Sequence, residues 1–195
     1  TECGYVGQER QIKSLALACH RHVARLRMLH LKNVPREGLP AAQAQNLVCV
    51  GPTACGKTFA VRLLFENSFL LPTAILDSTR FSETGYVGED PVTILTHLLL
   101  RADGDAEKAQ VGIAVLDEID KLAEDGGGTA TRVSRHGVQR SLLKLMDPGT
   151  VEIPVDLGGY HWRRRMVPFR THDLLWVGCG AFSGLDACLR TAGRI

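Results

Sequence analysis

The sequence predicts an α/β fold in three layers, a doubly wound parallel sheet with helices on both faces. Three observations predict it. Short apolar runs alternate with helical stretches, which is the pattern of βαβ units. The first run passes directly into a glycine-bounded loop, Gly51 to Thr58, that ends in Lys57 and Thr58. The third run ends in two adjacent carboxylates, Asp117 and Glu118.

Each element has its own signal. Residues 8–30 place Ile12, Leu15, Ala16, Cys19, Val23 and Leu26 at helical spacing, with Arg and His on the other face. Residues 33–45 contain two prolines and a glycine and read as a loop. At Leu47–Val50 the pattern becomes a continuous apolar run, as expected of a strand buried on both faces. A helix is expected from Lys57 through Val61, Leu63, Leu64 and Phe65. A second strand at 74–76 ends at Asp77, and a helix carrying Ile94, Leu95, Leu98 and Leu99 follows. The third strand is 112–116. Beyond a loop at Gly126, Gly127 and Gly128 comes a helix with Val138, Leu142, Leu143 and Leu145, then a last strand at 174–177.

Composition sets the outer limits. The chain has 195 residues, 45% hydrophobic and 23% charged, enough for one domain with a real core. A net charge of +2 gives no argument for nucleic acid. The longest apolar stretch, 69–76, is broken by Pro72 and is too short to span a bilayer. The start carries Glu2, Glu9 and Arg10 with no apolar block between, so no signal peptide is expected. It begins with Thr, as a processed or excised piece does. The six cysteines show neither paired nor metal-like spacing, which points to reduced thiols in an intracellular, cytoplasmic setting.

The chemistry sits in two motifs. Gly51-Pro52-Thr53-Ala54-Cys55-Gly56-Lys57-Thr58 satisfies G-x-x-x-x-G-K-[ST]. Glycines let the backbone curl so that successive N–H groups converge on phosphate oxygens, and the following helix adds its positive end. Lys57 is expected on the β- and γ-phosphates, and Thr58 on Mg²⁺. Phe59 follows within the same binding segment. Asp117 is expected to hold the metal through its water shell, and Glu118 to polarise the attacking water as general base. Together these predict an ATP- and Mg²⁺-dependent ATPase, with Glu118 and Lys57 as its catalytic residues.

Further blocks carry a resemblance. Gly85-Tyr86-Val87-Gly88-Glu89-Asp90, Leu116-Asp117-Glu118-Ile119-Asp120-Lys121, Gly137-Val138-Gln139 with Leu142-Leu143-Lys144-Leu145, and Gly180-Ala181-Phe182-Ser183-Gly184-Leu185 resemble the ClpX-type AAA+ unfoldases. The likeness runs from about Tyr5 to Asp186. HslU is the second-closest relative, through Thr79-Arg80-Phe81-Ser82-Glu83 and Val138-Gln139-Arg140. HslU carries a large insertion where only residues 91–115 stand here. The resemblance implies a P-loop domain whose Val6-Gly7-Gln8 segment borders the adenine, and whose Tyr86 and Val87 form a pore loop gripping a translocating polypeptide. It also implies a second pore loop at 131–136 and a basic pore-entrance loop at 161–165, the latter read equally as a solvated basic hairpin.

The same resemblance implies absences. The chain is expected to be the large AAA+ subdomain alone, with residues 1–45 as N-terminal helix and linker and 46–195 as the P-loop core. The fifth strand, the arginine finger, the small helical domain, the N-terminal zinc domain and the loop that docks a ClpP-type peptidase are not found in it. Without the fifth strand, Leu47–Val50 is expected at an open edge. Gly178-Cys179-Gly180 stands where a polar sensor residue is usual. Two readings follow. One is the ATPase domain of a hexameric unfoldase threading protein substrates for degradation or remodelling. The other is a truncated nucleotide-binding module with little hydrolysis.

Overall fold

The computed structural model describes residues 7–35, 46–81, 89–123, 129–155 and 165–191. Helix α1 (Glu9–Leu26) continues into a wider turn, Arg27–Leu31, and strand β1 is Leu47–Val50. Helix α2 (Lys57–Arg62) likewise widens through Leu63–Ser68 before β2 (Thr73–Asp77). Then come α3 (Thr93–Arg101), the short α4 (Ala106–Ala109) and β3 (Ile113–Asp117). Helix α5 (Thr129–Met146), strands β4 (Thr150–Val155), β5 (Arg165–Arg170) and β6 (Leu175–Gly180), and α6 (Leu185–Thr191) complete the order.

The four predicted strands form one parallel sheet in the order β1-β6-β3-β2. Its two faces are separate cores, and strand alternation assigns residues to them. Ile113 and Val115 of β3 and Leu175, Val177 and Cys179 of β6 pack with Leu15 and Cys19 of α1 and Ala60, Val61 and Phe65 of the α2 segment. Their neighbours Ala114, Leu116 and Trp176 face the other way, onto Leu95 and Leu98 of α3 and Val138 and Leu142 of α5. Burial on both faces is why these strands read as unbroken apolar runs. Trp176 is 2% exposed at the centre of the larger core.

Edge strand β1 differs. Its inward residue Cys49 is buried, but Val48 and Val50 are 62% and 54% exposed. Beside Val48 an apolar groove of about 700 Å³ runs between Leu142, Leu143 and Met146 of α5 and Phe182 and Leu185. Among the described residues β1 therefore has a strand partner on one side only.

Two expectations change. Residues 131–136 lie within helix α5, so the stretch assigned to a second pore loop is helical. Strands β4 and β5 form an antiparallel hairpin, pairing Thr150 with Arg170 and Val155 with Arg165, that the sequence did not announce. Pro154 and Pro168 lie within it, and proline in a strand removes a ladder donor, which is what hid the pattern. The hairpin still has a core role, since Ile153 and Phe169 are fully buried against α3 and the sheet.

Candidate functional site

The site forms where β1, β3 and β6 end together, at the sheet's carboxyl edge, as doubly wound folds require. After β1 the chain turns through Ala54 and Gly56, both left-handed at φ 61 and φ 87, into the first turn of α2. Glycine bears that geometry without strain at residue 56. Ala54 bears it only because the loop is held, and Gln8 does part of the holding by donating from its side-chain amide to the Cys55 carbonyl. The Val6-Gly7-Gln8 stretch therefore reaches the phosphate loop through Gln8. Val6 itself lies outside the described residues, as do Tyr86 and Val87.

Lys57 is buried, and its ammonium donates to the carbonyl oxygens of Gly51 and Pro52, each at 2.7 Å. The Cys55 thiol stands 3.9 Å from the same nitrogen. Lys57 is thus folded back over its own loop. Across the cleft, the Thr58 hydroxyl donates to Asp117 Oδ2 at 2.7 Å. This contact joins the two motifs, which are far apart in sequence but meet at the tips of adjacent elements. Asp117 Oδ1 accepts from the backbone N–H of Glu118 at 3.0 Å, so Asp117 is fixed from both sides.

Glu118 is exposed and left-handed, at φ 53. For a residue with a side chain this conformation costs of order 1–2 kcal/mol, and such outliers concentrate at functional positions. The turn Ile119–Leu122 follows at once and swings Asp120 back toward β6. Thr53, Ala54, Gly56, Lys57, Thr58, Phe59, Asp117 and Glu118 line a single cavity of about 280 Å³, closed on the far side by Gly180 and Ala181. Gly51, Pro52 and Cys55 form the back of the loop rather than the cavity wall. Asp120 also lines the cavity. Its place two residues after Glu118 gives it no evident role in sequence, because only the fold brings it to β6.

The donors fit the groups the motifs imply. A hydroxyl and a carboxylate already in contact are hard oxygen ligands of the kind Mg²⁺ takes, and the loop's helix-opening backbone with Lys57 suits a polyphosphate. Near the loop, Cys49 and Cys179 sit opposite each other on β1 and β6. Their shared thiol hydrogen bond pulls Cys49 below and pushes Cys179 above the ordinary thiol range, with burial raising both. The five described cysteines are all free thiols. No helix among the described residues is long and apolar enough to cross a membrane.

Residues 42–186 match the family model described as AAA domain (Cdc48 subfamily). The chain is similar to the ATP-dependent Clp protease ATP-binding subunit ClpX of Porphyromonas gingivalis, 38% identical over 183 residues, covering 93% of this chain and 43% of that protein. ClpX of Borrelia duttonii is 38% identical over 187 residues, 95% of this chain and 42% of the relative. ClpX of Treponema denticola is 36% identical over 183 residues, 93% and 43% respectively. The chain thus spans less than half the length of these curated relatives. With the parallel sheet, the glycine-bounded loop at its edge and a family match over most of its length, the chain belongs to the AAA domain family and is similar over nearly all of its length to ClpX proteins.

Proposed function

We propose that this chain is the large ATPase subdomain of a ClpX-like unfoldase, binding ATP with Mg²⁺ and hydrolysing it. The observation that carries this reading is the 2.7 Å hydrogen bond from Thr58 to Asp117, which brings the phosphate loop onto the Asp-Glu strand. Thr58 and Asp117 are the residues that would hold the metal, Asp117 through water. Bound there, Mg²⁺ supplies neutralisation of phosphate charge. Lys57 leaves its two carbonyls to meet the phosphate tail, and the backbone from Thr53 to Gly56 surrounds it. Glu118, exposed at the cavity rim, orients a water and takes its proton.

In the full-length protein the same domain works in a hexameric ring with Tyr86 and Val87 on a pore loop. Protein substrates are pulled through for remodelling, or for degradation by a ClpP-type peptidase. The resemblance of these residues to the family supports this part. A second reading, a module that binds nucleotide with little turnover, is favoured by one feature: Gly180 and Ala181 give the cavity wall no polar side chain. Measuring turnover and sedimentation of the chain together separates the two. Turnover in an assembled species that Glu118→Gln abolishes supports hydrolysis. Tight ATP binding with no turnover in any assembled species supports the module. Tyr86→Ala should leave hydrolysis intact while stopping unfolding of a tagged substrate by the full ring, and full-rate unfolding would refute the pore assignment.

A further inference from the structure

We infer that Asp120 is a positioning residue that pins the tip of β6 to the Asp-Glu turn, and so holds Glu118 at the cavity. The inference rests on the proposed role of Glu118. Asp120 lies two residues beyond Glu118, in the turn Ile119–Leu122. Its Oδ2 accepts from the backbone N–H of Phe182 at 3.0 Å. Its Oδ1 stands over Gly180, 2.4 Å from where a Cβ on that glycine would lie, and the Phe182 ring comes within 2.8 Å of the same point. The carboxylate thus occupies the space a side chain at position 180 would need. A side chain at position 180 would have to displace that carboxylate and the ring.

Gly180 is tied in turn to the phosphate loop, its carbonyl accepting from the Gly51 N–H at 3.2 Å. Three segments therefore meet through two adjacent residues: the phosphate loop at Gly51, the tip of β6 at 180–182, and the Glu118 turn at Asp120. Both ends of the link are unusual. Glu118 and Phe182 are left-handed, at φ 53 and φ 52, and each conformation persists only where surrounding contacts enforce it. Asp120 enforces one directly and borders the other. It is also the wall between two spaces, lining the phosphate cavity on one side and the apolar groove beside β1 on the other.

The test compares Asp120→Ala, Asp120→Asn and Gly180→Ala with the unmodified chain by three measurements: Phe182 amide exchange, Mg·ATP affinity, and turnover. A hydrogen bond to a carboxylate is worth roughly 10- to 100-fold in an equilibrium or a rate. Asp120→Ala should accelerate Phe182 exchange and lower kcat by roughly that factor, while Mg·ATP affinity stays within about threefold. Asp120→Asn keeps an acceptor oxygen and should restore both, and Gly180→Ala should displace the carboxylate and reproduce the loss. Unchanged Phe182 exchange in Asp120→Ala overturns the inference. So does a loss of affinity as large as the loss of kcat, or an Asn variant as impaired as Ala, since either makes Asp120 a ligand or a required charge. Should Asp120→Ala fail to fold, the Asn and Gly180→Ala pair decides by the same criteria. An unmodified chain that binds nucleotide without turnover contradicts the hydrolytic reading instead, and Phe182 exchange in the Asp120 and Gly180 variants still decides the role of Asp120.

Discussion

The two ends of the parallel sheet use polar residues in opposite ways. At the foot, where β3 and β6 begin, Asp173 is buried and ion-paired with Arg25 of α1 at 3.2 Å, and His30 Nε2 stands 3.6 Å from its other oxygen. His22 donates to the Val111 carbonyl at 2.9 Å, and Arg170 to Gln110 at 2.7 Å. Thr171 donates to the Asp147 carbonyl and accepts from the Gly149 N–H. These contacts fasten α1 and the hairpin to the sheet, while His22 Nδ1 and His172 Nδ1 are buried there without a hydrogen-bond partner among the described residues. At the tip, Glu118 faces solvent, Lys57 is folded over carbonyls of its own loop, and Ala54, Glu118 and Phe182 are left-handed. Paired polar groups fasten the foot, whereas exposed and left-handed residues border the cavity at the tip.

Cavity size alone would mislead. The foot has a cavity of about 440 Å³ beside His30, His172 and Asp173, larger than the 280 Å³ at the tip. What distinguishes the tip is its polar set, the Thr58 hydroxyl, the Asp117, Glu118 and Asp120 carboxylates and the Lys57 ammonium beside a helix-opening loop.

The contrast can be broken from either end. Glu118→Gln should lower hydrolysis by roughly 10²–10⁴-fold with ATP affinity within about threefold, as loss of a general base does; a steady-state assay with a parallel binding titration checks it. At the foot, Asp173→Ala leaves Arg25 buried without its carboxylate and should cost about 3 kcal/mol in a denaturant melt, leaving nucleotide affinity unchanged. Comparable loss of affinity there would mean the two ends are coupled. Thr58→Val removes the hydroxyl that joins the motifs and should weaken Mg²⁺-dependent ATP binding about tenfold, with little effect when Mg²⁺ is chelated.

Acidity sharpens the comparison further. Burial holds the His22 pKa below the ordinary 6.5, outweighing the Val111 carbonyl; Arg25 lowers it and Asp173 raises it. A depressed histidine binds fewer protons folded than unfolded, so its contribution is complete above 6.5 and declines as the pH falls below it. Melts between pH 7.5 and 5.5 should show this decline, and His22→Gln should flatten it. The smallest effect is expected at the sheet edge. Val48→Lys should alter stability by about 0.5 kcal/mol or less, yet reduce self-association in sedimentation by charging the open side of β1.

How much of this was legible in the sequence follows from where the information lay. The four sheet strands were readable because each is apolar on both faces, and the loop and Asp-Glu pair because their spacing is itself the chemistry. The β4–β5 hairpin was hidden by Pro154 and Pro168, and α6 by its brevity. Asp120 was in plain view within Asp117-Glu118-Ile119-Asp120 but had no readable role. Its partners, Gly180 and Phe182, lie some 60 residues further on and meet it only through the β3–β6 pairing.

The central claim is that the tip of the sheet, and not its foot, is a nucleotide site. Calorimetric titration of Mg·ATP into the unmodified chain, Lys57→Ala and Asp173→Ala tests it most directly. Saturable binding is expected, weakened roughly 10- to 100-fold or more by Lys57→Ala and left intact by Asp173→Ala. Equal binding by the unmodified chain and Lys57→Ala, or a loss confined to Asp173→Ala, would contradict it.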